Sequence, residues 1–258
     1  MSSLCYSYFP CRNLSQEGSN TQGYETEDGS LLILDKLSHL ERVDDVVLDE
    51  VDVKGLLELT SMTKLSATCK HQKESLAAFL KSQSIKHLNL KIDANLLTGD
   101  SKMLLSESSS LRILHVDAKR SPPTYLPTQV DMFTWNLVEL GFWYCLFKED
   151  PMPVLEKLPM LRNLQLHICY GGNKISCSGN AFPELTYLAL DGLFYLQVWN
   201  VEDGGFPKLQ KMEIYNCPLK KIPDVLPPKI LIMCSNNLQQ AVDEFRQQGK
   251  DSKDARAI

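Results

Sequence analysis

The sequence holds 8 Cys and 5 His, the residues with the widest chemical repertoire, and their spacing decides what they can do. Cys145, Cys169 and Cys217 each follow an apolar residue, Leu140, Leu164 or Met212, by five positions. A thiol recurring at one constant offset reads as a small group packed at a turn, not as a nucleophile. A structural zinc site would require cysteines two to four residues apart or closely paired histidines. Cys5 to Cys11 and Cys169 to Cys177 are too far apart for that, so no metal or other cofactor is expected. His39, His71, His87, His115 and His167 have no Ser or Cys nucleophile at the spacing of a catalytic motif. The acidic pairs Asp44-Asp45, Asp49-Glu50 and Glu149-Asp150 read as solvated surface. The chain is therefore expected not to be an enzyme, and its function must lie in a surface.

The elements that would build that surface repeat. Leu59-x-x-Met62-x-x-Leu65-x-Ala67 is followed by Ile85-x-x-Leu88-x-Leu90, Leu111-x-x-Leu114-x-Val116 and Leu137-x-x-Leu140-x-Phe142. Leu161-x-x-Leu164-x-Leu166, Leu185-x-x-Leu188-x-Leu190 and Leu209-x-x-Met212-x-Ile214 continue the series. Positions 65, 88, 114, 140, 164, 188 and 212 are separated by 23, 26, 26, 24, 24 and 24 residues, within the leucine-rich-repeat period of roughly 20–29. A looser first copy, Leu40-x-x-Val43-x-x-Val46-x-Leu48, places Val46 19 residues before Leu65. The last two apolar positions of each copy are two apart and share one face of a short strand. Stacked copies make a parallel sheet with a continuous apolar inner column of Leu88, Leu114, Leu140, Leu164, Leu188 and Met212. The expected fold is a curved α/β leucine-rich-repeat solenoid of about eight repeats, its parallel sheet on the concave face. The returns SPPTYLPT (121–128), KEDPMP (148–153), GGNKISCSGN (171–180) and VEDGG (201–205) predict irregular or 3-10 crossings on the convex face. Lys73 to Lys81 predicts a short helix there.

The residues between and beside the inward pairs share the concave face. They read in columns as His87, Ile113, Glu139, Asn163, Tyr187, Lys211; then Asn89, His115, Gly141, Gln165, Ala189, Glu213; then Lys91, Asp117, Trp143, His167, Asp191, Tyr215. Mixed charge punctuated by aromatics suits a protein partner. Trp143, Tyr187 and Tyr215 are the leading candidates for binding it, with His115, His167, Asp117, Asp191 and Lys211. The competing reading is that each aromatic packs on its neighbour one strand away.

Residues 1–30 are predicted to be a disordered arm, its stretch from Arg12 to Ser30 polar and rich in Gly and Ser, and 31–234 the repeat domain. In 235–258, Leu238, Ala241, Val242 and Phe245 predict an amphipathic helix, capped by Asn236 or Asn237 and stopped at Gly249, that covers the end of the array. The balance of 27 Lys+Arg against 32 Asp+Glu leaves a net charge of −5, which argues against nucleic acid. The opening MSSLCYSYFPCRNLSQ lacks the pattern of a secretory signal, and no apolar stretch reaches the length of a membrane span. A cytoplasmic, reducing compartment with free thiols is expected.

Two runs narrow the repeat type: Ala181-Phe182-Pro183-Glu184-Leu185-Thr186-Tyr187-Leu188, and Gly205-Phe206-Pro207-Lys208-Leu209-Gln210-Lys211-Met212-Glu213-Ile214 followed by Asn216-Cys217-Pro218-Leu219-Lys220-Lys221-Ile222-Pro223. This rhythm resembles the C-terminal repeats of plant intracellular immune receptors with a nucleotide-binding domain and leucine-rich repeats. Leu57-Glu58-Leu59-Thr60-Ser61-Met62-Thr63-Lys64-Leu65 is similar to a repeat opening of the coiled-coil branch of that family. The resemblance, over roughly 31–234, implies a recognition role in defence, with a pathogen effector or guarded host protein as partner. It also implies contact with a receptor's nucleotide-binding domain, in cis or in trans. The family's G-x-x-x-x-G-K-[ST] loop has no counterpart, since the one Gly-Lys pair, Gly249-Lys250, is followed by Asp251. The M-H-D motif is absent too, so no nucleotide site carries over and the chain is expected to represent the repeat region. A ubiquitin-ligase substrate adaptor and a generic binding scaffold are the alternatives; an F-box-like segment would be needed for the first, and residues 1–30 are too polar for one.

Overall fold

The computed structural model describes residues 41–48, 55, 58–69, 85–92, 109–118 and 135–254. The predicted arm, the helix at Lys73 to Lys81, the return 121–128, His39 and His71 lie outside them. Among the described residues nine strands form one parallel sheet: β1 (Arg42–Val47), β2 (Lys64–Cys69), β3 (His87–Ile92), β4 (Ile113–Asp117), β5 (Glu139–Trp143), β6 (Asn163–His167), β8 (Tyr187–Asp191), β10 (Lys211–Tyr215) and β11 (Leu231–Cys234), in that spatial order. Two further strands, β7 (Lys174–Cys177) and β9 (Val198–Val201), pair in parallel as a separate sheet in the returns. A single-turn helix α1 (Met152–Leu155) and a long terminal helix α2 (Gln239–Asp254) complete the described elements.

Alternation drives the main sheet. Leu88 pairs with Leu114, Leu114 with Leu140, Leu140 with Leu164, Leu164 with Leu188 and Leu188 with Met212, so the inward column is continuous. Each of these side chains is at most 1% exposed, and burying one stabilises the fold by about 1.5–3 kcal/mol. The thiols Cys145, Cys169 and Cys217 are buried beneath the turns that follow the strands. Cys145 Sγ donates to the Val116 carbonyl and Cys217 Sγ to that of Leu190, each reaching back to the preceding strand of the sheet.

The residue after each of β5, β6, β8 and β10 turns the chain in the left-handed region: Tyr144 (φ 60), Ile168 (φ 48), Gly192 (φ 66) and Asn216 (φ 54). The backbone N–H groups of Tyr144, Ile168 and Gly192 then donate to the carbonyls of His167, Asp191 and Tyr215 on the next strand. The two Phe-Pro runs use the same device elsewhere in the repeat. Phe182 (φ 52) and Phe206 (φ 56) are fully buried, stacked with ring centroids 4.8 Å apart, and Phe206 meets Trp199 edge-on. Stacking and complete burial offset the backbone cost of a bulky residue at positive φ.

Several expectations change. In the first repeat Val43, not Val46, pairs with Leu65, and Val46 pairs with Ala67. A bulge between them with Asp45 at φ 54 accommodates the extra residue, so Val43, not Val46, is the first repeat's equivalent of Leu65. The returns at 171–180 and after Leu196 contain β7 and β9, whose inward Ile175, Cys177 and Trp199 are buried. Leu231–Cys234, outside the repeat copies aligned above, supplies β11. Asp150 is not a solvated acid: Oδ1 accepts the N–H of Met152 at 2.9 Å and Oδ2 that of Ser176 at 2.7 Å, joining one return to the next. Burial pushes its carboxyl above the ordinary value. At the end of the chain, Leu238, Val242 and Phe245 are buried as expected. A 3-10 turn at Asn236–Leu238, preceded by Ser235, begins this segment, and α2 runs through Gly249 to Asp254. One glycine costs a helix only about 1 kcal/mol, too little to end α2.

Candidate functional site

The sheet register builds the candidate surface. Asp117, Trp143, His167, Asp191 and Tyr215 lie on successive strands in one row. His115, Gly141, Gln165, Ala189 and Glu213 make the second row, and Ile113, Glu139, Asn163, Tyr187 and Lys211 the third. All eight candidates, Trp143, His167, Tyr187, Tyr215, His115, Asp117, Asp191 and Lys211, project from the face opposite the core and are partly exposed.

Trp143 is the hub. Its indole lies parallel to the His167 ring, with centroids 5.4 Å apart and an interplanar angle of 13°, and the His115 ring meets it edge-on at 5.3 Å. Each histidine is tied to a carboxylate on the strand that follows. His115 Nε2 lies 2.8 Å from Glu139 Oε1, and His167 Nδ1 lies 3.2 Å from Asp191 Oδ2. Asn163 donates to Glu139 Oε2 at 3.1 Å, and Asn216 to Asp191 Oδ1 at 2.8 Å. The hydrogen bond from His115 leads in holding the Glu139 carboxyl below its ordinary range, against an opposing effect of burial. Burial also raises Asp191, but the hydrogen bonds from His167 and Asn216 outweigh it and leave that carboxyl lowered. Desolvation, followed by the nearby His115 and Lys64, lowers His87.

A second group sits on β8 and β10. Lys211 Nζ lies 5.3 Å from the Tyr187 ring centroid and 2.7 Å from Glu213 Oε1. Burial, the Glu213 charge and a hydrogen bond to it push the Tyr187 hydroxyl well above its ordinary value. The structure thus joins His115, Trp143, His167 and Asp191 in one cluster, and Tyr187 with Lys211 in another. Asp117 and Tyr215 keep register places beside Trp143 and Asp191.

Sequence reasoning did not select Glu139, Asn163, Gly141, Glu213 or Asn216. The first four were in the columns, but the roles of Glu139, Asn163 and Glu213 come from contacts between side chains. Gly141 carries a legible signal, a glycine two residues before a tryptophan on one strand face. No three His, Cys, Asp or Glu among the described residues are arranged to hold a metal ion. The surface is a rigid sheet bearing aromatic, carboxylate and imidazole groups already fixed by one another, a construction suited to contact with another macromolecule.

Comparison with known proteins agrees with the register. Residues 26–238 match the family described as leucine-rich repeat region. The chain belongs to the leucine-rich repeat family. Similar proteins include the Arabidopsis thaliana probable disease resistance protein At1g59620, 31% identical over 86% of this chain and 26% of the relative. Probable disease resistance protein RXW24L of the same organism is 31% identical over 74% of the chain and 22% of the relative. Probable disease resistance RPP8-like protein 4, also from Arabidopsis thaliana, is 30% identical over 78% and 23%. The resemblance to plant resistance-protein repeats is thereby supported, and the chain spans about a quarter or less of the length of these relatives. Among the described residues no helix is long and apolar enough to cross a membrane.

Proposed function

We propose that this leucine-rich repeat chain is a non-catalytic recognition module of plant defence, acting in the cytoplasm, whose concave face binds a pathogen effector or a guarded host protein. The observation that supports it is the Trp143 cluster: aromatic, acidic and imidazole groups presented in register on a sheet face whose opposite side is wholly core. Similarity to disease resistance proteins supports the setting. In this reading a receptor nucleotide-binding domain, in cis or in trans, is the second partner. An antibody to residues 200–258 distinguishes the two: a band near 29.2 kDa fits action in trans, and a much larger one fits a receptor in cis.

The reading is tested by measuring binding of purified effectors and host target proteins to wild type and to a Trp143→Ala, Tyr215→Ala double variant. A saturable interaction weakened at least about tenfold in a variant that melts like wild type is expected, since central aromatics dominate interfaces. Equal affinity for both would remove this face from recognition.

A further inference from the structure

From β2 to β10 the charges on the concave face are sorted along the array. On β4, β5, β6, β8 and β10 the outward positions carry Asp117, Glu139, Asp191 and Glu213 against one ammonium, Lys211, itself 2.7 Å from Glu213. The preceding strands β2 and β3 present Lys64 and Lys91 outward and no carboxylate of their own, although Lys91 Nζ lies 3.0 Å from Asp45 Oδ1 of β1. The boundary therefore falls between β3 and β4, where Lys91 pairs in register with Asp117. Beyond it Trp143, Tyr187 and Tyr215 are interleaved with the carboxylates.

Two of these carboxylates are oriented before any partner arrives. His115 and Asn163 hold the two oxygens of Glu139, and His167 and Asn216 those of Asp191. A carboxylate oxygen accepts more than one hydrogen bond, so each keeps acceptor capacity. A guanidinium combines the required features: charge of the right sign, planar donors for carboxylates, and a flat surface that stacks on aromatic rings. A partner bringing carboxylates to the same face would meet like charge and the cost of desolvating it.

We infer that the concave face from β4 to β10 accepts a basic, arginine-bearing segment of a partner protein. This rests on the concave face being the recognition surface, and it specifies the chemistry of what binds there.

The test uses a displayed library of random peptides selected on the full chain and counter-selected on two variants. One is Trp143→Ala, Tyr215→Ala. The other is Glu139→Gln, Glu213→Gln, which keeps side-chain size, so the experiment survives if the first variant fails to fold. Peptides bearing two or more Arg or Lys are expected, bound about tenfold more weakly by the glutamine variant and weakened by added salt. A control variant, Glu149→Gln, Asp203→Asn, removes the same charge from exposed return residues and should bind as wild type. If the control loses as much affinity as the glutamine variant, general attraction to an acidic protein explains binding and the inference fails. Neutral or acidic peptides that depend on Trp143 and Tyr215 would also overturn it, yet leave the concave recognition surface standing. A selection yielding no peptide dependent on the face would overturn both.

Discussion

The Trp143 indole occupies the space above Gly141: a β-carbon at 141 would lie 2.3 Å from two ring carbons of Trp143 and 3.1 Å from the His115 ring. The glycine is a notch in the concave face that lets the tryptophan lie between the two histidines. Gly141→Ala must displace Trp143, so it is expected to lose about 1–3 kcal/mol of stability and to change the near-ultraviolet circular dichroism of the folded protein. An unchanged spectrum with wild-type stability would mean that the indole does not rest on Gly141.

Leu164 sits mid-array with both neighbours in register and no exposure. Leu164→Ala should lower unfolding stability by about 2–5 kcal/mol, read as a fall in the urea midpoint. Gln165→Ala, one residue on and facing outward, should stay within about 0.5 kcal/mol of wild type.

Gly192 combines φ +66 with a close neighbour, since an added β-carbon would approach Ile168 Cγ1 to 2.5 Å. Gly192→Ala should therefore destabilise by at least about 1 kcal/mol. Gly171 has nothing within 4 Å of the corresponding point. Gly171→Ala should leave the melting temperature unchanged or raise it slightly.

Stability should fall on acidification in two stages. His87 has a lowered pKa in the folded state, so below its ordinary 6.5 the unfolded chain binds more protons and stability declines. Glu139 and Asp191 are lowered below ordinary values of 4.5 and 3.8; their contributions are complete above those values and vanish as pH drops through the folded ones. Asp150 is raised and contributes the opposite slope. Denaturant midpoints across pH should lose the upper limb in His87→Gln and part of the lower limb in Glu139→Gln; unchanged limbs would contradict these assignments.

The repeat thiols should be inert. Burial pushes Cys145 and Cys217 up to about 12 and raises Cys169 as well. Maleimide labelling followed by peptide mapping should modify Cys234, which is partly exposed, before any of the three. Their modification should keep pace only with unfolding.

Much of this architecture was legible because the inward and outward sets obey a period of two and the copies recur at near-constant spacing. The columns read from Leu88 through Met212 match the observed pairing residue for residue. What was misread depends on backbone geometry that residue spacing does not encode. Val43 and Val46 are both apolar, and only the bulge at Asp45 reveals which one faces Leu65. The strands β7 and β9 are short, and their pairing links residues 24 apart inside segments rich in turn formers. In the candidate site, the outward residues were legible as a set, whereas the His115–Glu139 and His167–Asp191 pairs depend on which rotamers meet across strands.

The steady register from β5 to β10 also bears on how such a chain can change over generations. Leu140, Leu164, Leu188 and Met212 are each 24 residues apart, and Tyr144, Ile168, Gly192 and Asn216 show that the turn after each strand accepts unlike side chains. Duplicating or deleting one such unit by unequal recombination would rejoin equivalent points of the coil and restore the same ladder on either side. A gene built this way can lengthen its binding face by a whole row, or exchange one row for another, while the neighbouring coils keep their packing.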